Sequence, residues 1–165
     1  MVIKYYTDGA YTLTNNNGVY SKGPGGWVYA RIQNGEIATH SSGGAKKTTN
    51  NEQELTVIME ALIDAERASL PGDIIKIYSD SAYSINIYTQ WTKNWKKNGW
   101  TSGKKHEPIE NLFIIRDTYD LIKELEEQFI KVIFIKVKGH STDEFNQYVD
   151  ALAVEMKVKM SQADA

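Results

Sequence analysis

Cysteine is absent from this 165-residue chain, which excludes disulfides and thiolate-bound metals. No apolar run approaches the roughly 18 residues that a membrane span needs. The opening "MVIKYYTDG" lacks the basic start and apolar stretch of a secretion signal. These absences lead us to expect a cytoplasmic protein without membrane contact. Positive charge is not in overall excess either. With a net charge of -2 and a pI of about 5.9, the chain is not one that coats nucleic acid with its whole surface. Internal repeats are also missing. What is present, 41% hydrophobic and 24% charged residues, is a globular composition of a length that suits one domain.

Against that near-neutral background one stretch stands out. "WTKNWKKNGW", residues 91 to 100, holds three of the four tryptophans. From Trp91 to His106 the chain carries Lys93, Lys96, Lys97, Lys104 and Lys105 and no acid, a local +5 that leaves -7 for the rest. The spacing of Trp91, Trp95 and Trp100 is equally suited to packing between helices with solvated lysines outside. A local basic patch on an acidic body orients a protein toward a polyanion.

Elsewhere the pattern alternates between strands and helices. "VIKYYTD" is rich in β-branched and aromatic residues, and "GGWVYARIQNGEIATHSSGG" reads as two strands joined at Asn34-Gly35. Three successive strands imply an antiparallel meander. Between Asn50 and Ser69, Leu55, Ile58, Met59, Leu62 and Ile63 recur at helical spacing, and Pro71-Gly72 ends the segment. "DIIKIYSD" is a further strand, reached by a helical crossover, and so parallel to the first. Residues 81 to 100 read as a helix. Leu112, Ile115, Tyr119 and Ile122 mark another, "FIKVIFIKVKG" a strand, and Val149, Leu152, Ala153 and Met156 a last helix. The order predicts an α/β chain with a mixed sheet covered by helices. "TNNNG" is expected to be a polar loop within a long connection from Ala10 to Gly23.

Two of these strands end alike, with Asp8 in "YYTDG" and Asp80 in "IYSDS". A carboxylate at the edge of a core must be paired or bound to a cation, because an isolated buried charge is expensive. Each could instead cap the element that follows it. Glu54 lies beside core-facing Leu55, at the flank of its helix's buried face, and Asp150 beside Val149; a helical acid in such a place is ordinarily solvated surface. Four acids gathered at one sheet edge would match what Mg²⁺ requires, namely oxygen ligands shared with substrate phosphate. Two such ions about 4 Å apart can drive phosphodiester hydrolysis.

The ordered fragments "YTDG", "GPGG", "TTNNEQEL", "YSDSAY", "QWTKNWKKNGW", "VKGH" and "NQYVD" resemble type 1 ribonuclease H over nearly the whole chain. The resemblance implies a single catalytic domain over residues 1–165, with a ribonuclease H-like fold of five strands in a mixed sheet flanked by helices. It also implies metal-dependent endonucleolytic hydrolysis of the RNA strand of RNA/DNA hybrids, leaving 5′-phosphate and 3′-hydroxyl ends. By the same resemblance Asp8, Glu54, Asp80 and Asp150 hold two Mg²⁺ ions, with Mn²⁺ a possible substitute. Asp8 would bridge both. His140 matches a histidine that assists product release or proton transfer. Gly9, Asn50, Asn51 and Glu54 would grip the 2′-hydroxyls that distinguish RNA from DNA. Thr49 and Asn111, with Lys47 close by, match a pocket for a phosphate of the DNA strand. Residues 91–106 match the family's basic protrusion, in which Trp91, Lys96, Lys97 and Trp100 contact the DNA backbone. A monomer is expected.

Three features depart from the family pattern: the lengthened connection after Asp8, Ala82 where many relatives have Gln, and Gln147 where many have Glu. These bear on substrate contacts rather than on the four carboxylates. No separate hybrid-binding domain precedes the first strand, so low processivity is expected. Two rival readings are a hybrid-binding module without catalysis and another nuclease on the same fold. Clustered negative charge argues against the first, because it would repel phosphates, and "TTNNEQEL" together with the protrusion argues against the second.

Overall fold

The structure, a computed structural model, describes residues 1–16, 19–138 and 142–162. Five strands form the main sheet: β1 (Val2–Tyr11), β4 (Gly23–Gln33), β5 (Glu36–Thr48), β6 (Ile74–Ser79) and β7 (Lys131–Lys136), in the order β5-β4-β1-β6-β7. The β1–β4 and β4–β5 pairs are antiparallel, and β1–β6 and β6–β7 are parallel. The expected meander and crossover are both present. Asn34 and Gly35 have φ of 55° and 76°, the left-handed pair that a two-residue hairpin of matching twist demands. The connection after β1 is more ordered than a polar loop: β2 (Thr14–Asn16) and β3 (Val19–Ser21) pair antiparallel as a small separate ribbon.

Helix α1 (Asn50–Ala68) begins at Thr49, whose hydroxyl accepts the Glu52 N–H at 3.1 Å. It ends at Ser69, ahead of Pro71-Gly72, with Gly72 at φ 95°. One face of the sheet is covered by α1 and by α4 (Leu112–Glu127). There Ile3, Tyr5, Ile75 and Ile77 meet Val57, Ile58, Ala61, Leu62, Ile122 and Leu125. The other face is covered by α5 (Glu144–Gln162), and its core is smaller: Tyr6, Val28, Ala30 and Ile32 against Val149 and Ala153. The assignment of neighbouring Tyr5 and Tyr6 to opposite faces follows from strand alternation. Among the described residues no helix is long and apolar enough to cross a membrane.

The expected single helix over residues 81 to 100 is interrupted. Helix α2 (Ala82–Asn86) passes into a π-turn at Ile87–Trp91 and then α3 (Thr92–Lys97). The Thr92 N–H reaches back five residues to the Ile87 carbonyl. The hydroxyls of Thr56, Thr89 and Thr118 each donate to the carbonyl four residues back at 2.7 Å, whereas the Thr92 hydroxyl is buried without a partner. This segment is rooted in a third core cluster of Leu55, Ile87 and Ile115, on which Tyr83, Tyr88, Trp95 and Trp100 pack.

Candidate active site

The parallel register sets the first pair of acids. Tyr6 is the partner of Tyr78, so Asp8 and Asp80, each two residues further on, leave adjacent strands at the same level. Glu54 comes from α1, which lies very close to β1 at Gly9. A Cβ on Gly9 would stand 3.0 Å from both the Gln53 Cβ and the Glu54 nitrogen. The missing side chain lets the Gly9 N–H donate to Glu54 Oε1 at 3.1 Å. Carboxylate oxygens of Asp8, Glu54 and Asp80 consequently lie within 4.8 Å of one another. Asp150 reaches the same place from α5: Asp8, Gly9, Asn50, Glu54, Asp80 and Asp150 line one open cavity of about 330 Å³. The approach of α5 depends on Gly26, where a Cβ would meet the Lys157 nitrogen at 2.9 Å.

The sequence pattern placed Glu54 at the flank of the helix's buried face, but it is only 1% exposed, and Asp8 is 6% exposed. The close approach at Gly9 accounts for the difference. Burial pushes the Asp8 carboxyl up to about 10, reinforced by a hydrogen bond with Asp150 and by the charges of Glu54, Asp80 and Asp150. Burial, then the charge of Asp80, also raises Glu54, against the pull of the Gly9 N–H. Asp80 is raised by burial, then by the charge of Asp150, and the charge of Lys136 moderates the rise. Glu54 Oε2 is buried with no hydrogen-bond partner. A buried carboxylate oxygen left open among other acids fits a hard divalent cation, which would satisfy it and relieve the mutual repulsion.

Among the remaining expected residues, Asn50 and Gly9 line the cavity and Asn51 is half-buried in the first turn of α1. Thr49 serves as the helix cap, Lys47 is exposed at the end of β5, and Asn111 holds a left-handed conformation, φ 58°, at the start of α4. His140 lies outside the described residues. On the protrusion, Trp91 is 36% exposed, edge-on to Tyr83 and tilted against Trp95. Trp100 is half-buried, with its ring edge-on to Tyr119 and the Arg116 guanidinium 5.5 Å from its centre. Lys96 sits over Tyr119, and Lys93, Lys97, Lys104 and Lys105 are exposed. Trp95 and Trp100 pack against the cluster of Leu55, Ile87 and Ile115.

Two neighbours of the site are not evident from sequence. Lys136 stands opposite Ser79 in the β6–β7 ladder, one residue from Asp80. Gln53 is buried and donates to the Thr48 hydroxyl at 3.0 Å, tying the start of α1 to β5. The first depended on strand register and the second on the depth to which α1 is sunk.

The RNase H family model matches residues 2–157. A protein named "Ribonuclease H" from Caldanaerobacter subterraneus subsp. tengcongensis is 38% identical over 157 residues, covering 93% of this chain and 90% of its own length. Among solved structures, the PFV RNase H domain superposes with a TM-score of 0.71 at 16% identity, covering 98% of this chain and 94% of that one. The LC11-RNase H1 structure, determined in complex with an RNA/DNA hybrid, gives 0.62 at 21%, with coverage of 95% and 97%. At those identities the structural likeness speaks for the fold alone. The family match and the curated relative, both spanning most of the chain, speak for descent, and the carboxylates held by β1, α1, β6 and α5 belong to a protein of that descent: the chain is a member of the RNase H family.

Proposed function

We propose that this chain is a metal-dependent endoribonuclease that hydrolyses the RNA strand of RNA/DNA hybrids. The observation that carries the reading is the cluster of buried Asp8 and Glu54 with half-buried Asp80, in which Glu54 Oε2 is unpartnered. Asp8, Glu54, Asp80 and Asp150 would hold two Mg²⁺ ions, or Mn²⁺ in their place. When bound, the metal supplies an activated water and stabilises the departing oxygen. In the overall reaction the water oxygen bonds to phosphorus, the P–O3′ bond breaks, and O3′ gains a proton. The products are a 5′-phosphate and a 3′-hydroxyl. His140 is assigned to proton transfer or product release.

Substrate selection is assigned to two surfaces. Gly9, Asn50, Asn51 and Glu54 face the RNA strand, where the 2′-hydroxyl is the distinguishing group. Thr49, Asn111 and Lys47 take a phosphate of the DNA strand, and Trp91, Lys96, Lys97 and Trp100 its backbone further along. Residues 1–165 act as one catalytic domain, as a monomer and in the cytoplasm.

Cleavage of a 5′-labelled RNA strand in a hybrid, with Mg²⁺ or with EDTA, beside duplex RNA and duplex DNA, tests the reading. Internal cuts in the hybrid alone, dependent on metal and lost in Asp80→Asn, are expected. A folded Asp80→Asn protein that still cuts would overturn the assignment. Tight hybrid binding by the unmodified chain without cuts would show a binding module instead.

A further inference from the structure

The four carboxylates are not held with equal security. Asp8 and Glu54 stand on β1 and α1 and Asp80 directly follows β6, three elements that share a large core. Asp150 stands on α5, whose buried residues are Asn146, Val149 and Ala153 alone. Phe145, Tyr148, Leu152 and Met156 also pack on that core but are only partly buried, so an oriented polar contact at the start of the helix adds to what fixes its register.

That contact is present. The Tyr6 hydroxyl donates to Asp143 Oδ2 at 2.8 Å, while Asp143 Oδ1 accepts the Phe145 N–H at 2.9 Å and the Asn146 N–H at 3.3 Å. One carboxylate thus caps α5 and ties it to β1. The Tyr6 ring is clamped, stacked on Tyr78 at 4.4 Å with 2° between planes and tilted against Phe145 at 5.5 Å. Its hydroxyl can point only where the stack directs it. Tyr6 precedes Asp8 by two residues and Tyr78 precedes Asp80 by two, so the stack rests on the same strand ends that carry the metal-binding acids. Asp143, the residue just before α5, and Asp150 within it are seven residues, close to two turns, apart. Fixing the first fixes the second.

We propose that Tyr6 and Asp143 are positioning residues that set Asp150 against the other three carboxylates and so complete the metal site; this rests on the metal-dependent reading above. Neither touches metal or substrate. Their action passes through the axial position of α5.

The test is calorimetric titration of the full chain with Mn²⁺, alongside kcat and KM on the hybrid. Tyr6→Phe, which removes one oxygen and keeps the stack, is expected to weaken Mn²⁺ binding about tenfold and lower kcat similarly, as losing an outer partner of a metal ligand does. KM is expected to stay unchanged. Asp143→Asn, which can still cap the helix and bond the tyrosine hydroxyl, is expected to remain near the unmodified protein; Asp143→Ala is expected to match or exceed Tyr6→Phe. The deciding arm is the Asp150→Asn background, in which Tyr6→Phe has no further effect on Mn²⁺ binding if its influence runs through Asp150. A further tenfold loss there would overturn the inference. So would a Tyr6→Phe protein with lowered thermal stability but normal Mn²⁺ affinity and kcat, which is the signature of a merely structural bond. If the unmodified chain neither binds Mn²⁺ nor cuts the hybrid, it is the function reading that fails; if it does both and Tyr6→Phe is silent, only this inference fails.

Discussion

The two helices that deliver acids to the site, α1 and α5, hold their places by different means. Helix α1 buries Leu55, Val57, Ile58, Ala61, Leu62 and Ala65, and its Glu54 is among the most deeply buried side chains in the protein. Helix α5 has many exposed residues, among them Val154 and Val158. On the α1 side a charge is forced into place by a surrounding core. On the α5 side it is brought into place by a hydrogen-bonded tether and a close pass at Gly26. Apolar burial can hold an unfavourable charge, but it gives little directional control; polar contacts give direction with less free energy behind them.

The largest losses are expected from substitutions within the cluster itself. Asp8→Asn or Asp80→Asn is expected to reduce cleavage by more than the ~100-fold upper range for losing an outer-shell partner, with circular dichroism unchanged. A smaller effect would mean that these three acids are not the centre of the chemistry. Next comes the packing of the two helices. Leu62→Ala, in the core between α1 and the sheet, is expected to lower unfolding stability by about 2–5 kcal/mol in denaturant titration. Val149→Ala, which removes two buried methylene equivalents from the α5 side, should cost about 1.5–2 kcal/mol. Equal losses would remove the contrast between the faces.

Acidity supplies a third, intermediate effect. An acid whose pKa is higher folded than unfolded binds more protons in the folded state, so its contribution weakens as pH rises from the ordinary value of 3.8 toward about 10 for Asp8. Glu54 and Asp80 are shifted in the same direction. The metal-free protein is therefore expected to melt at a lower temperature at about pH 8 than at about pH 5. The difference should shrink in Asp8→Asn and on adding a divalent cation. A melting temperature that climbs with pH would show the cluster to be relieved by something other than metal. The smallest effects belong to the protrusion. Lys96→Ala and Lys97→Ala should each reduce the salt dependence of hybrid binding by about one unit of slope, leaving kcat unaltered.

Much of this was legible in the sequence because it depends on local chemistry or short-range periodicity. Asn34-Gly35 announces a hairpin, the spacing from Leu55 to Leu62 a helix, and Asp8 and Asp80 each follow an apolar strand run, although β1 continues past Asp8 to Tyr11. The ordered motifs then linked the acids to a family. What could not be read depends on depth and register. Glu54 looks like a flank residue until the close approach at Gly9 is known. Lys136 becomes a neighbour of Asp80 only through the β6–β7 pairing. Asp143 and Tyr6 are 137 residues apart and share no motif. The residues from 82 to 97 carry helix-compatible side chains throughout, so nothing local shows where the hydrogen bonding shifts by one residue.

That shift at Ile87–Trp91 gives the protrusion a mechanical property of its own. A π-turn absorbs one residue beyond what a regular helix would use, and each residue turns a helix by about 100° while advancing it only about 1.5 Å. The direction in which Lys96 and Lys97 point is thereby separated from the distance to which they reach. Inserting or deleting one residue here would re-aim the basic ridge around the helix axis like the dial of a vernier, with the core anchors Leu55, Ile87 and Ile115 serving as the fixed scale.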